Sequence, residues 1–225
     1  MASVNPFDFF EHIYCIHLPT STDRIDLVRK EFQKLEILDR VDFIHATPPN
    51  KDNLRVGGNL YYPQGQIGVK LSHLKALHDA MDYNYENVLI FEDDVMFPNY
   101  NSEKLRVATK ELPEVWDMLY LGGEPIERTD RQSPSLVQVN KFICCHAYAV
   151  HRDSMGEICD LIVDNLTNSG LDGGIYCEYT PYKRAYCVYP PICIQRPNYS
   201  IITQRDADYS PELNAAWRDF KPEEP

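Results

Sequence analysis

The sequence predicts an α/β domain with a mostly parallel central sheet flanked by helices. Three observations carry that prediction. The runs Ile13–Leu18, Val88–Val95 and Met118–Gly123 are apolar and of strand length. Other segments repeat apolar residues at helical spacing, which puts them on one face of a helix. The two kinds of segment alternate along the chain, the pattern that builds parallel sheets covered by helices.

Taken in order, Ile13–Leu18 is a buried strand stopped by Pro19. Residues 20–24, TSTDR, supply cap-type side chains, and Ile25, Val28, Phe32 and Leu35 then share one face of a helix. Val41–Ala46 is a second strand, ended by Pro48 and Pro49. Asn50 to Gln64 is rich in Asn, Gly, Pro and Lys and reads as a loop. Helical spacing returns from Gly65, with Ile67, Leu71, Leu74 and Leu77 in register. Val88–Val95 is the clearest buried strand, and it ends in carboxylates. A helix follows over roughly Ser102 to Leu112, then the strand Met118–Gly123 and a polar loop from Glu124 to Pro134. Phe142–His151 is strand-like, with Asp153 placed to cap a helix running to about Leu166. Ala185–Gln195 is extended and interrupted by proline. The acidic tail 203–225 offers Trp217 and Phe220 as anchors for one domain whose core spans about 13–202.

The chain of 225 residues is long enough to bury a substantial core. Its formal charge of −12 argues against a nucleic-acid partner, because phosphate backbones require dense Lys and Arg. An acidic chain that handles phosphates needs a bound cation or a few placed basic residues. No apolar run reaches the roughly 20 residues of a membrane span. The N-terminal residues lack a basic region ahead of their apolar stretch, so a cytoplasmic location is expected. The 7 cysteines have no paired CxxC spacing and sit mostly in apolar runs, which marks them as structural thiols.

The sharpest chemical signal is Glu92-Asp93-Asp94 at the end of the strand VLIF. In open α/β sheets ligands gather beyond the carboxyl ends of the strands. Consecutive carboxylates delivered there repel one another and are costly to desolvate, a conflict that a hard divalent cation such as Mn2+ or Mg2+ relieves. Strand alternation puts Glu92 and Asp94 on one face and Asp93 on the other. Asp94 is therefore the expected direct metal ligand and Glu92 a secondary or water-mediated one, while Asp93 is placed with the donor.

The segments YCIHLPTSTDR, GQIGVKLSHLKAL, FEDDV, WDMLYLGG and HAYAVHRD, in this order, resemble the family-25 glycosyltransferases, a family that includes lipooligosaccharide and procollagen galactosyltransferases. The resemblance runs from about Ile13 to Ile202. It implies a GT-A type, Rossmann-like nucleotide-sugar fold and an inverting transfer of a hexose, galactose or glucose, from a UDP-linked donor to a glycan or glycoconjugate hydroxyl. Two features depart from the family pattern. His17-Leu18-Pro19 stands where the family usually has an Asn-Leu pair, and the acidic motif is Glu-Asp-Asp rather than Asp-X-Asp.

Roles for further residues follow beside that resemblance. Thr20 and Arg24 lie at the exit of the first strand, where helix N–H groups and a guanidinium can engage a diphosphate. The competing reading makes Arg24 surface charge and Thr22 or Asp23 a cap. Lys70 is a candidate to offset diphosphate charge, and Ser72 and His73 are candidate donor contacts. His146 is a candidate third metal ligand, with a core histidine as the alternative. Inversion needs a base for the acceptor hydroxyl proton. Asp172, flanked by glycine in GLDGGIY, is the candidate, with Glu178 in reserve. Asp117 and Glu124 are placed near sugar hydroxyls, and Gly122 and Gly123 would let a sugar approach the backbone. Arg196 is a candidate diphosphate contact in a stretch that closes over the donor.

Two other functions compete. A sugar nucleotidyltransferase would carry a glycine-rich basic loop near the N-terminus, whereas YCIHLPTSTDR has no glycine. A non-catalytic carbohydrate-recognition domain would have lost the acidic trio, which is intact. A homo-oligomer is compatible with the sequence.

Overall fold

The computed structural model describes residues 4–48, 54–56, 60–62, 64–98, 100–127, 130–200, 205–208 and 217. The central sheet contains β1 (His12–His17), β2 (Val41–His45), β3 (Asn87–Glu92), β4 (Met118–Tyr120), β5 (Asp130–Ser133), β6 (Leu136–Gln138), β7 (Ala147–His151) and β8 (Ala185–Val188). Their order across the sheet is β2-β1-β3-β7-β4-β8-β6-β5. Strands β1, β2, β3, β4, β5 and β8 point one way, and β6 and β7 point the other. The expected mostly parallel sheet is present, with β7 wedged antiparallel between β3 and β4.

The helices are α1 (Thr22–Lys34), α2 (Gln64–Asp82), α3 (Ser102–Glu111) and α4 (Arg152–Asp164), and they cover both faces of the sheet. Alternation along each strand sorts side chains between two apolar clusters. Tyr14, Ile16, Val88 and Ile90 pack on the side of α2 and α4, with Leu74, Leu77, Met155 and Ile158. Ile13, Cys15, Leu89 and Phe91 pack on the side of α1 and α3, with Val28, Phe32 and Leu105. Each fully buried side chain of this size contributes about 1.5–3 kcal/mol of transfer free energy. All seven cysteines are free and buried, consistent with packing roles. No helix among the described residues is long and apolar enough to cross a membrane.

Several local expectations need correction. On α2, Ile67, Leu74 and Leu77 are buried but Leu71 is 36% exposed, and its place in the inward stripe is taken by Lys70 at 0%. The helix α4 is capped by His151, whose ring accepts from the Asp153 N–H at 3.3 Å, so Asp153 lies in the first turn. The segment Phe142–His151 is not one strand. Phe142–Ile143 pairs with Glu124–Pro125, the chain kinks at Cys144 (φ 84°), and β7 starts at Ala147. The polar segment read as a loop holds β5, an edge strand with no residue fully buried, which apolar patterning does not reveal. Within Asn50–Gln64, Leu54–Val56 and Leu60–Tyr62 pair as a hairpin, and α2 begins at Gln64. Residues 49–53, 57–59 and 63 lie outside the described residues, as do Phe220 and most of the tail. Trp217 does anchor: its indole N–H donates to the Gly123 carbonyl at 2.7 Å, and its ring meets Phe142 and Tyr189.

Asp117 precedes β4, at the edge of the sheet opposite Glu92, so it does not meet the acidic motif. Its carboxylate accepts from the Arg184 side chain at 2.7 and 3.0 Å, from the Arg184 backbone at 2.8 Å and from Ser154 at 2.7 Å. Burial by itself would raise this carboxyl, but those donors hold it down at about 2. A depressed carboxyl stabilises the fold above its unfolded value, 3.8, and that contribution is lost as pH falls towards 2. Asp117→Asn should therefore cost about 1–2 kcal/mol at pH 7, a figure reduced for the solvent exposure of Arg184. Urea melts should show the gap between variant and parent closing as pH falls from 4 to 2. An equal gap at both ends would reject the charge-based account.

Candidate active site

The acidic strand β3 stops at Glu92, and Asp93-Asp94 form a turn before the short strand Val95–Met96. Strand alternation therefore ends one residue too early for the expected pairing of Glu92 with Asp94. Glu92 follows Val88 and Ile90 towards α2, where its Oε1 lies 3.1 Å from His73 Nε2. Asp93 and Asp94 both turn to Arg24 of α1. The Arg24 guanidinium contacts Asp93 and lies 2.9 Å from Asp94 Oδ2. Gln195 also donates to Asp94 Oδ2 at 3.0 Å, and the Arg196 N–H donates to the Asp94 carbonyl at 2.6 Å. The Asp93 carboxyl is pushed up to about 7 by burial, with Arg24 pulling it down and the neighbouring carboxylates adding to the rise. Arg24 is thus not surface charge; it neutralises the acidic turn.

β7 brings His146 to the same edge, since the Glu92 N–H donates to the His146 carbonyl at 3.1 Å. The ring is 1% exposed, and neither ring nitrogen has a partner with hydrogen-bond geometry among the described residues. Burial drives it down to about 4, while Asp94, the nearby Cys193 backbone and Asp172 pull it upwards. The buried ring therefore has the Cys193 backbone and the Asp94 and Asp172 carboxylates as its polar neighbours. The neighbouring Cys144 has the left-handed φ noted above, a conformation that costs on the order of 1–3 kcal/mol in a non-glycine residue and concentrates at functional sites. Its thiol is raised by burial and then by Asp172, Glu124, Glu92 and Asp94 in turn. Carboxylates from three segments, with Glu92 and Asp94 both at the end of β3, thus act electrostatically on one loop at the carboxyl edge of β3 and β4.

Asp172 lies half-buried in a single π-helical turn, Leu171–Tyr176, and its Oδ1 accepts from the Gly173 N–H at 2.7 Å. Glu178 does not join it. Its side chain is 71% exposed and pairs at 3.7 Å with Lys141, in a surface cluster with Glu127. Lys70 is also misplaced for a diphosphate. Its ammonium donates to the carbonyls of Asn165 at 3.0 Å and Ser169 at 2.5 Å, at the negative end of α4. Desolvation lowers it to about 8. Ser72 is 1% exposed and joins α2 to the end of β2, donating to the Gly68 carbonyl at 2.6 Å and accepting from Thr47 N–H at 2.9 Å. His73 is equally buried, so it reaches the edge only through Glu92. Thr20 is exposed in the turn between β1 and α1. The Arg196 guanidinium points to Glu31 at 3.4 Å, on α1.

Gly122 and Gly123 serve packing rather than sugar approach. A Cβ on Gly122 would stand 2.1 Å from the Cys193 carbonyl oxygen, and one on Gly123 2.3 Å from the Phe142 ring. Tyr148 and Tyr176, which extend the Glu92–His73 contact inwards, went unread in the sequence. Their only signal was the inward phase of Tyr148 in β7.

Among the described residues, no three His, Cys, Asp or Glu side chains are gathered as a ready metal cage. Hard divalent cations in phosphate sites usually take only one or two carboxylates from the protein and complete their shell with water and substrate phosphate. Asp94 and the buried imidazole of His146 fit that mode, with Arg24 as the group a cation would have to share Asp94 with.

The fold is thus a mixed α/β sheet with helices on both faces and carboxylates gathered at the end of β3. The chain belongs to glycosyltransferase family 25, described as an LPS biosynthesis protein family, whose model matches residues 10–155. It is 26% identical over 138 residues to a glycosyltransferase 25 family member of Aedes aegypti, covering 54% of this chain and 22% of that protein. It is 23% identical over 148 residues to procollagen galactosyltransferase 2 of Mus musculus, covering 58% and 24%. The matched part thus spans less than a quarter of those relatives. Among solved structures, a glycosyltransferase involved in glycosylation of the major capsid of PBCV-1 aligns with 70% of this chain and 68% of its own, at 12% identity and a TM-score of 0.40.

Proposed function

We propose that this chain transfers a hexose, galactose or glucose, from a UDP-linked donor to a hydroxyl of a glycan or glycoconjugate, with inversion and with Mn2+ or Mg2+ bound. The observation that supports this most is the acidic turn at the end of β3, where Asp94 meets Arg24 and Gln195 and the buried His146 is brought alongside by the Glu92 N–H bond to its carbonyl. Asp94 and His146 would hold the cation. When bound, it supplies positive charge for the leaving diphosphate. Arg24, already in the acidic turn, is close at hand to add a second positive group, and Arg196 sits across α1. Asp172 accepts the proton of the acceptor hydroxyl, and Gly173 beside it, with nothing within 4 Å of where a Cβ would stand, leaves room for that hydroxyl. The strand Ile194–Gln195, paired with Val95–Met96 directly after the acidic turn, would help to keep water from the reacting groups.

The test is release of nucleotide from UDP-galactose and UDP-glucose, with an acceptor glycan, in Mn2+ and then in excess chelator. Release should fall to background with chelator and return with Mn2+. Release indifferent to chelator would remove the cation from the proposal. Turnover of a sugar phosphate with nucleoside triphosphate, and none of a nucleotide sugar, would replace it with nucleotidyl transfer.

A further inference from the structure

A buried chain of polar groups runs inwards from the acidic edge. Glu92 Oε1 is 3.1 Å from His73 Nε2, His73 Nδ1 is 2.7 Å from the Tyr148 hydroxyl, and that hydroxyl is 3.1 Å from the Tyr176 hydroxyl. His73, Tyr148 and Tyr176 are each no more than 1% exposed, whereas the Glu92 side chain is 24% exposed. The chain therefore has one end at the site and the other in the core.

We infer that His73 is a positioning residue: it holds Glu92 in one orientation at the site, in the tautomer that Glu92 selects and that the Tyr148 hydroxyl completes at the far ring nitrogen. This rests on the transferase reading only where turnover is concerned. An ionised carboxylate can only accept, so the ring proton belongs on Nε2. Nδ1 then becomes an acceptor, and the Tyr148 hydroxyl must donate to it. The Tyr148 oxygen in turn accepts from Tyr176. With one proton on the ring, this arrangement satisfies every group, and at this depth an unmatched group would be costly. Packing keeps the ring from turning over. His73 and Tyr148 stack at 5.6 Å and 22°, and Tyr176 meets Tyr148 edge-on at 5.4 Å. Asp93 and Asp94 are held differently, by a guanidinium, so the acidic trio is divided between a charged clamp and a hydrogen-bonded one. Tyr176 closes the same π-helical turn that carries Asp172, which gives Glu92 and the candidate base a shared support.

Two measurements test this on the full chain. With ring-15N histidine, long-range proton–nitrogen spectra should show Nε2 protonated and Nδ1 bare for His73, assigned by its loss in His73→Gln. Tyr148→Phe and Tyr176→Phe should both leave Nε2 protonated, because Glu92 still accepts from it, whereas Glu92→Ala should mix the tautomers. In nucleotide release, His73→Ala should lower kcat by about 10–100-fold, and His73→Gln, which keeps an N–H for Glu92, should stay within about threefold of the parent. A protonated Nδ1 in the parent chain would overturn the assignment. So would equal kcat losses in the Gln and Ala variants, which would mark His73 as a packing residue. If the parent releases no nucleotide, the transferase reading fails, while the nitrogen spectra still decide whether His73 is locked as described.

Discussion

Asp94→Asn is expected to lower cation-dependent nucleotide release by roughly 10²–10³-fold while leaving the chain folded. Asparagine keeps the size of the side chain and an oxygen for Arg24 and Gln195, which lie 2.9 and 3.0 Å from Asp94 Oδ2. What it removes is the charge that attracts a hard cation. Asp93→Asn is the informative comparison, because the two acids share Arg24 but stand in different electrostatic circumstances. Burial pushes the Asp93 carboxyl up to about 7, and its oxygen is taken up by the Arg24 guanidinium. Its loss should therefore reduce release far less than loss of Asp94. Steady-state rates at saturating Mn2+, with thermal melts of all three proteins, make the comparison. Equal losses in the two variants would mean that the turn matters as a folded unit and that Asp94 has no separate role.

Asp172→Asn should reduce kcat by about 10²–10⁴-fold, the usual contribution of a general base, with little change in KM for the donor. The substituted amide still accepts from the Gly173 N–H, so the π-helical turn is not deprived of its local hydrogen bond. Glu178→Gln is the control. Its side chain faces solvent beside Lys141, and exposed ion pairs of this type contribute at most about 1 kcal/mol. Full activity in Asp172→Asn, or a comparable loss in Glu178→Gln, would remove Asp172 as the base.

Much of this architecture was legible because it depends on local periodicity. The apolar runs of β1 and β3 have only one buried solution, a strand between two layers of helix, and both faces of those strands are indeed buried. The amphipathic stripe of α1 was equally plain, with Val28, Phe32 and Leu35 buried on one side. β5 was hidden, since an edge strand with half-exposed polar residues has no apolar pattern to show. Lys70 illustrates a different difficulty. A helical stripe starting at Ile67 passes between positions 70 and 71, and spacing alone favours the leucine. The structure turns the lysine inwards because two carbonyls at the end of α4, about 100 residues along the chain, accept its protons.

By itself the sequence determined that carboxylates would be delivered to a sheet edge, since an apolar strand of six residues must run through the core and its next residues must emerge. It determined the layering too, because period-two and period-3.6 patterns leave little freedom in what faces what. Only the tertiary structure decided how the three acids divide. β3 ends at Glu92, and the backbone turn after it sends Asp93 and Asp94 to Arg24 on one face while Glu92 meets His73 on the other. The reason is range: alternation acts between neighbouring residues, whereas the partners that direct each carboxylate lie 19 to 101 positions away and are set by packing.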